Sequence, residues 1–319
     1  MRDRGGGPGG PTGTRGDPPG CRGSELTPHT LRRSDLYARI AVGLLAVSSG
    51  SILVRLAPDA TPLAAATWRL VLASLVLVPI AWVRGALRTL RRRDLALAGL
   101  SGLALALHFT LWFTSLRHTS VASSVLLVST HPVFVAIGAA VALRERVGRL
   151  AAIGIAVALL GAAVISLTDL QSGRQTIVSD LLAVGGGACF AVYVLIGRNL
   201  QKRVSFVDYV AVSYGVAALT VLAAALALRQ PLFGFRPASY GVLVLLALVP
   251  QLIGHSTFNW ALRHLPASKV STLVLGEPVG AAILAYAIFR EVPSWQGALG
   301  AATILVGIYV SQRSEGGVT

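Results

Sequence analysis

Charge is scarce in this chain. Only 13% of its 319 residues are Asp, Glu, Lys or Arg, where an average soluble domain carries roughly a quarter. That deficit excludes a surface that faces water throughout, so much of the surface must face lipid. Aromatic residues are scarce too, at 7%, so the apolar mass is Leu, Ala, Val and Ile, with many Gly among them. Such a mixture suits helices packed closely in a bilayer, where small residues let backbones approach. Cysteine is nearly absent: Cys21 lies near the N-terminus and Cys189 inside an apolar run. Two such positions exclude a disulfide framework, a CxxC pair and cysteine-based metal spacing. The apolar runs also contain no aspartate pair and no histidines at i, i+4, and no P-loop occurs anywhere. An intramembrane enzyme would need such a constellation. No enzymatic activity, no cofactor and no metal are therefore expected.

What is present is a formal net charge of +15. The basic residues sit in short segments between apolar runs and in the N-terminal stretch, not in one patch with interleaved aromatics. That distribution fits membrane orientation and argues against nucleic acid as a partner. Residues 1–34 are rich in Gly, Pro and Arg and lack the apolar core of a signal peptide; they read as a disordered cytoplasmic tail.

Ten apolar runs follow, near 39–57, 62–83, 95–115, 119–142, 149–168, 180–198, 207–228, 239–261, 267–289 and 295–312. Each approaches the roughly 20 helical residues that cross the hydrocarbon core. With the N-terminus inside, 21 Lys and Arg fall on the inner side and 6 on the outer. This bias predicts a multi-pass protein of the cytoplasmic membrane with both termini in the cytoplasm.

Self-similarity is the most informative feature. Residues 115–165 align without a gap onto 261–311 at a constant offset of 146. Pro132 falls on Pro278, Arg144-Glu145 on Arg290-Glu291, and Gly154 and Gly161 on Gly300 and Gly307. Five helices per half is an odd number, so the second half enters the membrane in the opposite sense. The fold class expected is an all-α membrane protein of ten transmembrane helices in two inverted five-helix repeats, 35–168 and 178–313. Inverted repeats are a common plan of secondary transporters, because two halves can alternate access around a central site.

The signature of each half (apolar helix, Pro, apolar stretch, Arg-Glu, Gly-spaced helix) resembles the EamA family of the drug/metabolite transporter superfamily. Leu275-Gly276-Glu277-Pro278, Glu145, Glu291 and the early Arg69 of the second run resemble family patterns too. The resemblance covers about residues 38–312. It implies a ten-helix carrier whose cavity is lined by the third, fourth, eighth and ninth spans. It also implies outward transport of an amino-acid-like or drug-like metabolite.

Ionisable groups at membrane depth carry an insertion penalty of about 2.5–3.5 kcal/mol, so each needs a reason. Glu277 lies ten residues into the ninth run, roughly 15 Å deep, and His131 is its mate under the 146 offset. Each precedes a proline, Pro278 or Pro132, which frees a backbone carbonyl one turn earlier. The pair reads as a substrate or proton site, or else as bonds that hold the bundle together. Arg69 suits a substrate carboxylate, or a partner in Glu277 or helix-end carbonyls. His108 with Trp112, and His255 with Asn259 and Trp260, could line a cavity, or else form interfacial histidines and an aromatic belt. The expected partners are a small-molecule substrate, the bilayer and protons as coupling ion; the oligomeric state is not legible. A channel should show polar rings along a pore, whereas these residues cluster at mid-depth, so a carrier is preferred over a channel or scaffold.

Overall fold

The computed structural model of the protein describes residues 32–85, 90–118, 124, 127–167, 177–290 and 295–313. The expected tail up to residue 31, the connection between the two expected halves at 168–176, and Glu291 lie outside them. Ten helical segments and no strand occur among the described residues. They are α1 (Arg33–Leu56), α2 (Pro62–Val83), α3 (Arg92–His118), α4 (His131–Leu143), α5 (Arg149–Leu167) and α6 (Ile177–Leu200). Then come α7 (Phe206–Ala227), α8 (Pro237–Ala261), α9 (Ala267–Phe289) and α10 (Trp295–Arg313). Seven of them (α1, α2, α3, α6, α7, α8 and α9) are long and apolar enough to cross a membrane, by length and composition. The described part of α4 begins only at His131, because much of the run predicted from 119 is outside the described residues. At the other end, α1 starts at Arg33, two residues inside the stretch expected to be a tail. Asp35 in its first turn suits the positive end of the helix, and Leu36 and Ile40 are buried.

Equivalent positions of the two halves use equivalent local chemistry. Thr61 caps α2 by accepting from the Ala64 N–H at 3.2 Å, and Ser205 caps α7 by accepting from the Asp208 N–H at 3.3 Å. Arg144 ends α4 and Arg290 ends α9, both left-handed, with φ of 56° and 58°. Packing partners exchange in the same way: α3 and α4 lie against α6, as α8 and α9 lie against α1.

The interior is polar for a helical bundle and the exterior is not. Arg69, His108, His131, Gln251 and Asn259 are buried, while Leu45, Leu75, Val83, Val141, Leu160 and Leu219 are exposed. Glycines set the closest approaches. A Cβ on Gly154 would lie 2.6 Å from the Gly307 carbonyl oxygen, and one on Gly307 would lie 2.6 Å from that of Gly154. Gly161 meets Gly300 likewise. Because residue numbers rise along α5 as they fall along α10, the two helices cross antiparallel.

Among the described residues, Asp59, Asp94 and Glu145 each join the first five helices to the last five through an ion pair. Asp59, in the α1–α2 turn, accepts from the Ser239 hydroxyl at 2.5 Å and the Arg236 N–H at 2.7 Å. The Arg236 guanidinium lies 3.6 Å away. Asp94 pairs with Arg203 at 2.8 Å. Glu145 accepts from Arg198 at 2.8 Å and from the Ala267 N–H at 3.3 Å, while Arg198 also donates to the Leu262 carbonyl at 2.7 Å. Glu145 thus caps the start of α9 and pairs with a more distant arginine than its neighbours in sequence.

The Ser239 hydroxyl, and then the Arg236 N–H, hold the Asp59 carboxyl down at about 2. A depressed carboxyl contributes stability above its ordinary value near 4, and loses it as pH falls through about 2. Between pH 5 and pH 2 the melting temperature of the wild type should therefore fall more steeply than that of Asp59→Asn. Thermal unfolding in detergent across that range checks this; parallel curves would count against the contact.

Candidate functional site

Two broken helices contribute to one cavity. Ser129 and Thr130 form a turn before α4, where the Thr130 hydroxyl donates to the Leu127 carbonyl at 2.7 Å. His131-Pro132 then opens the helix. In α9 the turn is Leu275-Gly276, and Glu277-Pro278 opens its second part. Proline suits a first helical turn, where its missing N–H leaves nothing unpaired. Each break therefore sets an ionisable side chain at the start of a helix, where the backbone dipole is positive.

The cavity is lined by Arg69, His108, Trp112, His131, His255, Asn259 and Glu277, with Phe190, Tyr193, Phe258 and Ser271 between them. It leaves about 50 Å³ for the centres of water-sized molecules. One water needs roughly 10–15 Å³ by that measure, so a few waters or a small solute fill it.

Arg69 is buried, and its Nε–H donates to the Gln251 Oε1 at 2.6 Å. Its guanidinium carbon lies 4.2 Å from the centre of the Phe109 ring. Of the partners weighed from sequence, Glu277 does not reach it: Arg69 and Glu277 line the same cavity without a direct ion pair among the described residues. His108 places Nδ1 2.9 Å from the Gly186 carbonyl oxygen and stacks on Trp112 at 5.7 Å. His131 lies 4.8 Å from Phe190, ring centre to ring centre, and among the described residues neither of its ring nitrogens has a hydrogen-bond partner. Asn259 donates to the His255 carbonyl at 2.9 Å, and also to the Tyr193 hydroxyl.

The family then follows from comparison. Residues 35–167 and 177–312 each match the EamA-like transporter family. The chain belongs to that family. A probable terminal-alkyne amino-acid exporter of Streptantibioticus cattleyicolor is 31% identical over 255 residues, covering 77% of this chain and 82% of that one. The uncharacterized transporter YwfM of Bacillus subtilis is 27% identical over 259 residues, covering 80% and 86%. A solved crystal structure superposes with a TM-score of 0.73 at 19% identity, covering 88% of this chain and 98% of the other. That likeness shows a shared fold.

This EamA-like protein is thus a multi-pass membrane protein with a general transport role. Seven of the eight side chains singled out from sequence line its cavity. Trp260 does not: it lies under the Arg39 guanidinium at 5.1 Å and against His264 at 4.6 Å. Sequence reasoning passed over Gln251 and Tyr193. Gln251 left a signal, as an amide inside an apolar run four residues before His255. Tyr193 left none, because its hydroxyl gains meaning only beside Asn259.

Proposed function

We propose that this protein is a secondary carrier that exports a small organic solute across the cytoplasmic membrane by alternating access, with protons as coupling ion. In this reading ten helices span the bilayer as two inverted halves, 35–168 and 178–313. A cytoplasmic tail covers 1–34, and both termini are inside. The observation that carries it is the meeting of two related helix breaks, His131-Pro132 and Glu277-Pro278, at one polar cavity. Transporters with inverted repeats bind substrate near mid-membrane at such discontinuous helices.

The antiparallel crossing of α5 and α10 and the exchanged packing of the halves support the inversion. The ion pairs between halves supply contacts that can break at one face while the cavity opens there. An amino-acid-like solute suits a cavity with a guanidinium, a carboxylate and aromatic walls, and agrees with the name of the Streptantibioticus relative.

Purified protein in liposomes should give saturable, competitor-sensitive flux of at least one solute from a panel of amino acids and amphiphilic drugs. Flux that rises linearly with concentration would indicate a channel, and chemical conversion of the solute an enzyme. The topology has its own check. Cysteine replacing exposed Phe233 should react with an impermeant thiol reagent in intact cells, and cysteine replacing exposed Lys202 only after permeabilisation. Labelling of position 202 in intact cells sinks the orientation.

A further inference from the structure

The Arg69 guanidinium is an incomplete site. It is 2% exposed, yet among the described residues only Nε has a hydrogen-bond partner, and that partner is the neutral amide of Gln251. Among the described residues no carboxylate lies within ion-pair distance; the guanidinium faces the Phe109 ring and shares the cavity with Glu277, which acts on it through space without pairing with it. A buried cation held by a neutral group and a ring keeps its full charge, which is unfavourable unless an anion completes it.

Gln251 itself is fully buried, and among the described residues its Nε2 has no hydrogen-bond partner. It sits on the π-helical stretch Ala247–His255 of α8, beside Pro250. A π-helical turn re-aims side chains within a helix and recurs at functional sites. Here it brings an amide from the second half onto an arginine of the first.

We infer that Gln251 is a positioning residue: it fixes the Arg69 guanidinium at the cavity without neutralising it, so that the solute's carboxylate becomes the missing partner. This inference rests on the carrier reading and narrows it to solutes that bear a carboxylate. A carboxylate matches the planar guanidinium fork in shape and charge. Glutamate at position 251 would have nearly the same shape but would occupy the fork permanently. The neutral amide is therefore the functional choice: it orients and does not compete.

The test uses matched probes, acetate with acetamide and benzoate with benzamide, and follows thermal unfolding of the purified full-length protein. At least one carboxylate should raise the wild-type melting temperature saturably, and its amide should not, because ligand bound only to the folded state stabilises it. Gln251→Glu should melt higher than wild type without probe and lose the carboxylate response. A purely structural role would not separate those two readouts in that way. Gln251→Leu leaves the charge but frees its orientation, and should weaken the apparent affinity for the carboxylate about tenfold; it keeps the test open if Gln251→Glu does not fold. Absence of stabilisation by both carboxylates overturns the inference. So does an equal response to the amides, or an unchanged response in both variants. Saturable flux of solutes without a carboxylate, combined with those outcomes, removes the inference and leaves the carrier reading standing. Absence of saturable flux for every solute removes the carrier reading itself.

Discussion

Glu277→Gln should leave expression and folding near normal and abolish the pH dependence of transport. Glu277 opens the second part of α9 at the cavity and has no hydrogen bond or ion pair among the described residues. Gln keeps the size and the hydrogen-bonding capacity but cannot titrate. Groups that face it across the cavity are Arg69, His108, His131, His255 and Tyr193. Arg69 stays cationic throughout the working range, so it can compete with a proton for the carboxylate but cannot replace it. A carboxylate poised between proton, solute ammonium and arginine can exchange one partner for another during the cycle. Flux measured in liposomes from pH 5.5 to 8.5 should slope for the wild type and run flat for the variant. An unchanged rate and profile would make Glu277 a structural residue and leave the fold reading intact. A second result would also be informative: if Glu277→Gln fails to fold while a joint replacement of Arg69 and Glu277 succeeds, the two form a buried pair in another state of the protein.

The second large effect concerns packing. Gly154→Val should destroy the α5–α10 contact, because the atoms that a side chain would meet are backbone atoms of Gly307 and Ser311. Backbone cannot turn aside as the end of a flexible side chain can, so the helices must separate along the crossing. Overpacking usually costs about 1–3 kcal/mol, occasionally more. Here the separation also removes the shared contacts of Ala158 and Ile304. The expected result is a melting temperature several degrees lower and a broadened elution profile in detergent. Gly241→Ala is the control, since nothing lies within 4 Å of its added Cβ; it should behave as wild type. A Gly154→Val protein as stable as that control would mean that α5 and α10 do not meet as described.

Helix placement was legible because lipid imposes it: apolar length, basic loops and prolines all act along the chain. The offset of 146 was legible for the same reason, and it reappears in conformation. It places the turn at 129–130 on that at 275–276, and the left-handed Arg144 on Arg290. The cavity was legible as far as polarity marks depth, which brought out Arg69, His108, His131, Asn259 and Glu277. What sequence did not reveal was pairing. From sequence Arg69 suited a solute carboxylate, Glu277 or helix-end carbonyls, whereas its hydrogen-bond partner in the fold is Gln251, across 182 positions. That contact depends on a π-helical stretch, where extra backbone per turn shifts which side chains face inward. No apolar period records such a shift. Trp260 shows the same limit, for its position next to Asn259 says nothing about which side of α8 it occupies.

The ion pairs described between the two family-matched stretches have a feature in common. Asp59, Asp94 and Glu145 all belong to the first matched stretch, and Arg236, Arg203 and Arg198 all belong to the second. Partly exposed pairs such as these add little stability, about 0–1 kcal/mol each, but they discriminate. A repeat that arose as two like copies could associate with itself, like with like. In the present chain each acid of these contacts comes from the first stretch and each arginine from the second, so a stretch that met a copy of itself would not bring the same acid and arginine together. Selectivity of this kind lies in what a wrong partner fails to supply as much as in what the right one offers.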